Sequence, residues 1–168
     1  RVNGTSPFSL AGKTIMITGA NTGIGQGIAL AIGEAGGRVI GVGRSSMDET
    51  AALLAGIGAG LVAVEADLAS VEAAQSMFER CWVEHGRIDG LVNNAGIIRR
   101  AAAIDVTEAD WDAVLDINLK VMFFLCQSLG RRALAEGRPG RIVNIASMLS
   151  FQGGIRVAGY TASKSGVL

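Results

Sequence analysis

A stretch near the N-terminus reads Thr18-Gly-Ala-Asn-Thr-Gly-Ile-Gly25 and joins two apolar segments, residues 13–18 and 23–35. The first segment is typical of a buried strand, and the second predicts a helix that ends at Gly36-Gly37. The glycines permit a tight turn and a close approach to phosphate, and a helix N-terminus offers unpaired N–H groups to an anion. The stretch therefore predicts a dinucleotide-binding loop made of Gly19, Asn21, Thr22, Gly23, Ile24 and Gly25.

The glycine spacing leaves an alternative open. It is G-x-x-x-G-x-G rather than the G-x-G-x-x-G pattern of many dinucleotide-binding folds. With 24 glycines in 168 residues, clusters also arise by chance, so a glycine-rich turn without a ligand is the alternative. The position of the turn directly after the first strand favours the dinucleotide.

Predicted strands and helices alternate along the rest of the chain. Strands are predicted over residues 38–42, 61–65, 88–93 and 141–146, and helices over residues 47–55, 70–85, 107–136 and from Val157 onward. Ser70 and Thr107 are the expected N-caps of two of these helices. Alternation at this spacing predicts right-handed βαβ units in one parallel sheet. We expect one α/β domain over residues 1–168, a Rossmann-like doubly wound sheet in three αβα layers.

Composition narrows the class of protein. Hydrophobic residues make up 49% of the chain and the mean hydropathy is +0.40, as expected for a sheet covered by helices on both faces. The net charge is zero, and the uncharged run over residues 51–64 is shorter than a membrane helix of about 20 residues. We therefore expect neither nucleic acid nor a membrane as partner.

The cysteines and the chain ends lead to further expectations. Cys81, Cys126 and the single His85 have no metal-binding or redox spacing, which predicts no metal site and a reducing, cytoplasmic location. The first residues have no signal-peptide pattern, and residues 1–9 read as a polar arm. Residues 161–168 follow a helical pattern without a stop signal. We therefore expect a chain truncated after the start of its sixth helix.

The end of the second strand bears on the choice of dinucleotide. Residues 41–46 contain no carboxylate, which would bind both hydroxyls of an adenosine ribose, and they include Arg44, which suits a 2′-phosphate. Arg44 therefore favours NADP(H). An Arg44 side chain that points to solvent is the alternative.

Tyr160-Thr-Ala-Ser-Lys164, after the fifth strand, contains the only tyrosine of the chain. Residues four apart lie on one face of a helix, and an ammonium group near a phenol stabilises its phenolate form. Such a tyrosine can take a proton from an alcohol, or return it to a ketone, while a hydride moves. A surface Tyr–Lys pair is the alternative.

Two further polar residues are expected near this pair. Ser147 follows the fifth strand, and ligands of parallel sheets bind beyond the carboxyl ends of the strands. It can bind a substrate oxygen, or only cap a loop. Asn118 lies inside a predicted helix and needs hydrogen-bond partners if buried. It can hold a water that links Lys164 to solvent, or tie the helix to a strand.

These motifs together resemble the short-chain dehydrogenase/reductase family. The resemblance rests on Thr18-Gly-x-x-x-Gly-Ile-Gly25, Asn93-Asn-Ala-Gly96, Asn118, Ser147 and Tyr160-x-x-x-Lys164, and it extends from Phe8 to Leu168. It implies an NAD(P)-dependent oxidoreductase acting on CH–OH donors. Tyr160 would be the acid/base, Lys164 would also hold the nicotinamide ribose, and Ser147 and Asn118 would complete the catalytic set.

The resemblance also implies further cofactor contacts. Adenine would contact Asp67 and Leu68, and ribose would contact Asn94, Ala95 and Gly96. Members of the family usually continue with further strands, a helix and a substrate lid that this sequence does not contain.

Residues 93–100 and 146–157 resemble the deoxygluconate-type sugar-acid dehydrogenases of that family. Arg99, Arg100 and Arg156 are expected beside the catalytic edge, where arginine can pair with a sugar carboxylate through two hydrogen bonds. Gln152 can bind a hydroxyl group. Subunit or surface contacts are the alternative for each arginine. This resemblance suggests NAD whereas Arg44 suggests NADP, so NAD(H) or NADP(H) stays open.

The sequence also leaves two other functions open and predicts an assembly state. A reductase of a 3-oxoacyl thioester or another carbonyl is the alternative within the family. A non-catalytic dinucleotide-binding sensor is the alternative of another class, and an intact Ser147, Tyr160 and Lys164 argue against it. The helices over residues 107–136 and from Val157 onward are expected to pair between subunits of a homotetramer.

Overall fold

The computed structural model describes residues 6–168, and its centre is a parallel sheet of five strands. The strands are β1 (Thr14–Thr18), β2 (Arg38–Gly43), β3 (Leu61–Glu65), β4 (Gly90–Asn93) and β5 (Arg141–Asn144). Their order is β3-β2-β1-β4-β5, and every neighbouring pair is parallel. The chain thus reverses direction across the sheet between β3 and β4, which confirms the predicted doubly wound topology.

Helices connect the strands. They are α1 (Gly23–Glu34), α2 (Asp48–Gly56), α3 (Val71–His85), α4 (Glu108–Leu115), α5 (Met122–Ala135), α6 (Leu149–Gln152) and α7 (Ala158–Ser165), with a 3₁₀ turn at Ala103–Asp105. The side chains of Ser70 and Thr107 accept hydrogen bonds from Ala73 N and Asp110 N, both 3.1 Å long, so both expected N-caps are confirmed.

The prediction differs from the structure in several places. The fourth and fifth strands are shorter than residues 88–93 and 141–146, and the short helix α6 was not predicted. The predicted helix over residues 107–136 is continuous, but Asp116–Val121 between α4 and α5 is π-helical. Such wide turns are rare and are often found at functional sites. The predicted arm over residues 1–9 lies partly outside the described residues.

Successive strand residues are buried on opposite faces of the sheet. Met16 and Ile40 contribute to one hydrophobic cluster, together with residues of α3 and α5. Ile17 and Val39 contribute to a second cluster, together with residues of α1 and α2. Burial on both faces explains the high apolar content of the chain and confirms the three-layer arrangement.

The helix Glu108–Ala135 is long and apolar enough to cross a membrane by length and composition alone. In this structure its residues Leu125 and Leu129 are buried in the core that α3 and the sheet share. A core helix of a folded domain passes the same test, and one such helix is weak evidence of a membrane span.

Candidate active site

A cleft of about 770 Å³ lies beyond the carboxyl ends of the strands, beside the point where the strand order reverses. Clefts at this position are the usual ligand sites of open parallel sheets, and volumes of roughly 300–1,000 Å³ are typical of ligand pockets. Most of the predicted cofactor residues line it: Gly19, Asn21, Thr22, Gly23, Ile24, Arg44, Asp67, Leu68, Asn94, Ala95 and Gly96. The sequence analysis did not single out Ser45 and Ile97, which line it as well.

The glycine turn after β1 has the backbone that its sequence suggested. Gly19 and Gly23 have φ angles of +69° and +58°, a region that side chains with a Cβ rarely adopt. Gly25 does not line the cleft but packs α1 against the turn. A Cβ at position 25 would lie 2.0 Å from the Gly19 carbonyl oxygen. The three glycines therefore shape the turn for two different reasons.

Hydrogen bonds from side chains of α1, α2 and the segment after β2 also hold this turn, and Thr50, Gln26 and Ser45 among them were not predicted from the sequence. The fully buried Thr50 of α2 donates a hydrogen bond to the Ala20 carbonyl (2.9 Å) and accepts one from Gln26 Nε2 (3.2 Å). Asn21 Nδ2 donates to Ser45 Oγ (2.9 Å), which ties the turn to the segment after β2. These hydrogen bonds within the protein therefore support the conformation of the turn without a ligand.

The segment after β4 is fixed to the same turn. Asn94 Nδ2 donates to the carbonyls of Thr18 and Gly19, and both distances are 3.1 Å. Thr18 Oγ1 accepts from Asn94 N (3.1 Å) and Ala95 N (3.0 Å). The Asn94 side-chain N–H groups are thus engaged in hydrogen bonds to the backbone of the turn, while Ala95 and Gly96 line the cleft.

The predicted pair Tyr160 and Lys164 lies together on α7. Lys164 Nζ is 5.9 Å from the centre of the Tyr160 ring and donates to the Ile145 carbonyl beyond β5 at 2.6 Å. Lys164 is only 5% exposed, and this burial lowers its pKa. Within residues 6–168 its ammonium group makes no ion pair with a carboxylate. A buried ammonium group without a carboxylate partner stabilises the negatively charged form of a neighbouring group, here the phenolate of Tyr160.

The ammonium group also lies near the edge of the cleft. A Cβ built on Gly96 would be 3.8 Å from Lys164 Nζ, and Gly96 itself lines the cleft. The cleft and the Tyr160–Lys164 pair are therefore adjacent.

Asn118 lies in the π-helical segment and is 2% exposed. Its Oδ1 accepts from Ile97 N (2.8 Å), and its Nδ2 donates to Ile97 O (2.9 Å) and Ser163 Oγ (3.1 Å). Ser163 in turn donates to the Tyr160 carbonyl at 2.8 Å. The Asn118 side chain thus ties the segment after β4 to α7. Its role in holding a water stays a prediction.

Ser147 lies after β5 and is half-buried. Its hydroxyl oxygen accepts a hydrogen bond of 3.2 Å from Leu149 N, at the first residue of the short helix α6. Its own O–H donates to none of the described side chains or carbonyls. Ser147 is therefore able to cap the loop and also to donate to a substrate oxygen.

The candidate substrate residues differ in their surroundings. Arg99 Nε lies 3.3 Å from Asp110 Oδ1, whereas Arg100 and Arg156 make no ion pair within residues 6–168. Arg156 has a φ of +63°, unusual for a residue other than glycine, and its carbonyl accepts from Ala101 N at 3.1 Å. Exposed Gln152 ends α6.

A family profile described as short chain dehydrogenase matches residues 13–168. The chain belongs to the short-chain dehydrogenase family.

Two relatives are enzymes named 2-dehydro-3-deoxy-D-gluconate 5-dehydrogenase. The Escherichia coli protein is 46% identical over 163 residues, which are 97% of this chain and 64% of that protein. The Bacillus subtilis protein is 48% identical over 161 residues, which are 95% of this chain and 63% of that protein. The chain thus spans somewhat less than two thirds of the length of these curated relatives.

Two crystal structures share the fold closely. A candidate 2-deoxy-D-gluconate 3-dehydrogenase from Agrobacterium tumefaciens, with bound NADP, has a TM-score of 0.90 and 49% identity and covers 96% of this chain and 64% of its own. A candidate NAD(P)-dependent gluconate 5-dehydrogenase from Beutenbergia cavernae, with NADP at low occupancy, has a TM-score of 0.89 and 48% identity. It covers 96% of this chain and 65% of its own.

Proposed function

We propose that the protein is an NAD(P)-dependent oxidoreductase that transfers a hydride between a nicotinamide ring and a secondary alcohol or ketone of a deoxygluconate-type sugar acid. The observation that carries this proposal is the buried Lys164 ammonium beside Tyr160, at the edge of a cleft shaped by a glycine turn. The names of the relatives support the substrate class.

The residues of the cleft fit a dinucleotide. Gly19 with positive φ precedes α1, and Gly23 with positive φ begins it. Within the described part of the chain no side chain caps this helix, so the N–H groups at its N-terminus are available to a pyrophosphate. In this proposal the turn holds the pyrophosphate, Asp67 and Leu68 contact adenine, and Asn94, Ala95 and Gly96 contact ribose. Tyr160 and Lys164 hold the nicotinamide ribose.

We further propose that NADP(H) is the preferred form. Arg44 lines the cleft after β2, is exposed, and makes no ion pair with a carboxylate of residues 6–168. A free guanidinium group at this point matches a 2′-phosphate. The NADP bound to both solved relatives agrees with this preference.

Replacing Arg44 tests this preference. We expect Arg44→Ala to raise the Kd of NADPH by roughly tenfold to a hundredfold, since a charge-assisted hydrogen bond contributes about 1.5–3 kcal/mol. The Kd of NADH should change by less than about twofold. Nicotinamide fluorescence titration measures both constants, and Arg131→Ala, an exposed change on α5, is the matched control. An equal change for both dinucleotides would contradict the proposal.

The chain's own residues supply the proton chemistry. A bound dinucleotide would supply hydride transfer to a ketone carbon, or take up the hydride from an alcohol carbon. The Tyr160 oxygen takes the proton from the alcohol, or returns it to the ketone oxygen. The Lys164 ammonium stabilises the phenolate, Ser147 donates a hydrogen bond to the substrate oxygen, and Asn118 keeps α7 in place and supports a proton-relay water.

Arg156 is our candidate for binding the sugar carboxylate. Its guanidinium group has no carboxylate partner within residues 6–168, whereas Asp110 already engages Arg99. Arg99 and Arg100 then add positive charge near the site, and Gln152 binds a hydroxyl. The positive φ of Arg156 is consistent with a side chain directed by function.

A substrate panel with each dinucleotide tests the proposed function on the full-length protein. Absorbance of the reduced nicotinamide should report turnover of deoxy-sugar acids, and of their keto forms, but not of the matching uncharged sugars. Arg156→Ala should raise the KM for the acids about tenfold or more, with Arg131→Ala, an exposed change on α5, as the matched control. Turnover of 3-oxoacyl thioesters alone would instead assign the protein to the other carbonyl reductases.

We also propose that the protein forms a homotetramer and that it is located in the cytoplasm. Phe123 and Leu134 of α5 are 58% and 84% exposed, which suits a helix paired between subunits. Cys81 and Cys126 are both unpaired, as is usual in a reducing compartment. A monomer in sedimentation of the full-length protein would contradict the tetramer.

A further inference from the structure

Ser150 lies between the two parts of the candidate catalytic set. Its Oγ donates to the Lys164 carbonyl at 2.7 Å and accepts from the Ser147 N–H at 3.2 Å. Ser147 follows β5, whereas Lys164 lies on α7, so one hydroxyl joins the two segments. Neither the glycine turn nor the cleft contacts it.

The Lys164 carbonyl needs such a donor. It lies in the last turn of α7, which ends at Ser165, and the last carbonyls of a helix have no partner within the helix. Ser150 satisfies this carbonyl, and at the other end of the same residue Lys164 Nζ donates to Ile145 O at 2.6 Å. Lys164 is therefore held at both ends by the segment that follows β5.

Three apolar side chains of the same segment lie in solvent rather than in the core. Met148, Phe151 and Ile155 are 75%, 80% and 89% exposed. Hydrogen bonds to α7 therefore help to place this segment, and the two that Ser150 Oγ makes are the ones that reach Ser147 N and the Lys164 carbonyl. Besides the Ser150 hydroxyl, one such tie runs from Ser165 Oγ to the Ser150 carbonyl, at 3.0 Å.

We propose that Ser150 is a positioning residue, which sets the place of the Ser147 hydroxyl relative to Tyr160 and Lys164 through its bonds to Ser147 N and Lys164 O. Both bonds need a hydroxyl group, which donates one hydrogen bond and accepts another. Alanine at position 150 would leave the Ser147 N–H and the Lys164 carbonyl without these hydrogen bonds. A displacement of about 1 Å in a reacting group can cost about a hundredfold in rate.

The inference rests on the proposed function for its kinetic consequence, and two serine variants test it on the full-length protein. Ser150→Ala removes both bonds, whereas Ser165→Ala removes the third tie between the same segments without touching Ser147 or the Lys164 carbonyl. We expect Ser150→Ala to lower kcat about tenfold to a hundredfold and to leave the NADPH Kd within about twofold. Ser165→Ala should keep kcat within about twofold, and Ser150→Thr, which retains a hydroxyl, should recover most of the loss.

Amide hydrogen exchange supplies a readout that needs no turnover. The Ser147 amide should exchange faster in Ser150→Ala than in the unchanged protein, and Ser165→Ala should not change it. Equal kcat and equal exchange in the two alanine variants would overturn the inference, and so would a loss of kcat that Ser150→Thr does not recover. If the unchanged protein shows no turnover with any substrate, the proposed function fails, and exchange alone decides whether Ser150 holds Ser147.

Discussion

Replacing Tyr160 with phenylalanine is expected to abolish turnover while the dinucleotide still binds. The change removes only the hydroxyl group, and positioned general acid–base groups contribute roughly 10²–10⁴-fold to rates. We therefore expect kcat to fall by at least about a hundredfold. The glycine turn and Arg44 are untouched, so the NADPH Kd should stay within about threefold. Steady-state kinetics and fluorescence titration measure the two effects.

The Tyr160→Phe result also separates the competing functions. A non-catalytic dinucleotide sensor would bind NADPH tightly in both forms and show no turnover in either. An enzyme that uses another acid/base would keep the kcat of the unchanged protein in the phenylalanine variant. Either outcome would contradict the role assigned to Tyr160, and thermal melting of both proteins checks that the fold is intact.

A methyl group at position 25 is expected to disrupt the glycine turn. The Cβ of Gly25→Ala would lie 2.0 Å from the Gly19 carbonyl oxygen and 2.6 Å from Asn94 Nδ2, so α1 and the turn must separate. Overpacking of this kind typically costs about 1–3 kcal/mol of stability. We expect a loss of that size in urea unfolding and a rise of at least about tenfold in the NADPH Kd, because a shift of the turn also moves its phosphate-binding groups.

Gly27 of the same helix provides the matched control. A Cβ at position 27 meets no atom within 4 Å, and the residue is exposed. Gly27→Ala should therefore stabilise the protein by about 0.5–1 kcal/mol, because alanine favours the helix, and leave the Kd unchanged. If Gly25→Ala bound NADPH as well as Gly27→Ala does, close packing of α1 against the turn would not be what shapes the phosphate site.

The regular part of the fold follows from the sequence because local pattern and tertiary packing agree there. Apolar runs alternate with amphipathic segments, so the strands, the long helices and the N-caps at Ser70 and Thr107 are predictable. The short helix α6 has too few residues to show a period. The π-helical segment Asp116–Val121 has no known local signal here, and Asn118 within it bonds to Ile97 from another part of the chain.

The candidate site is predictable only in part. The spacing of Tyr160 and Lys164 places them one helical turn apart, but the burial of Lys164 and its bond to Ile145 depend on how α7 packs against the end of β5. Thr50 carries no signal, because threonine in a short helix is common and its partners lie in a distant turn. The sequence also gives no way to rank Arg99 and Arg156, since the Asp110 partner of Arg99 is a tertiary contact.

The central claim is that a hydride passes between the nicotinamide ring and the carbon of a sugar acid held beside Tyr160. Incubating the full-length protein with a keto sugar acid and NADPH that carries deuterium at both positions of the hydride-bearing carbon, followed by mass spectrometry of the product, tests it most directly. We expect the deuterium on the new carbinol carbon of the sugar acid. A bound dinucleotide that keeps all of its deuterium in the presence of every keto acid tested would contradict the account.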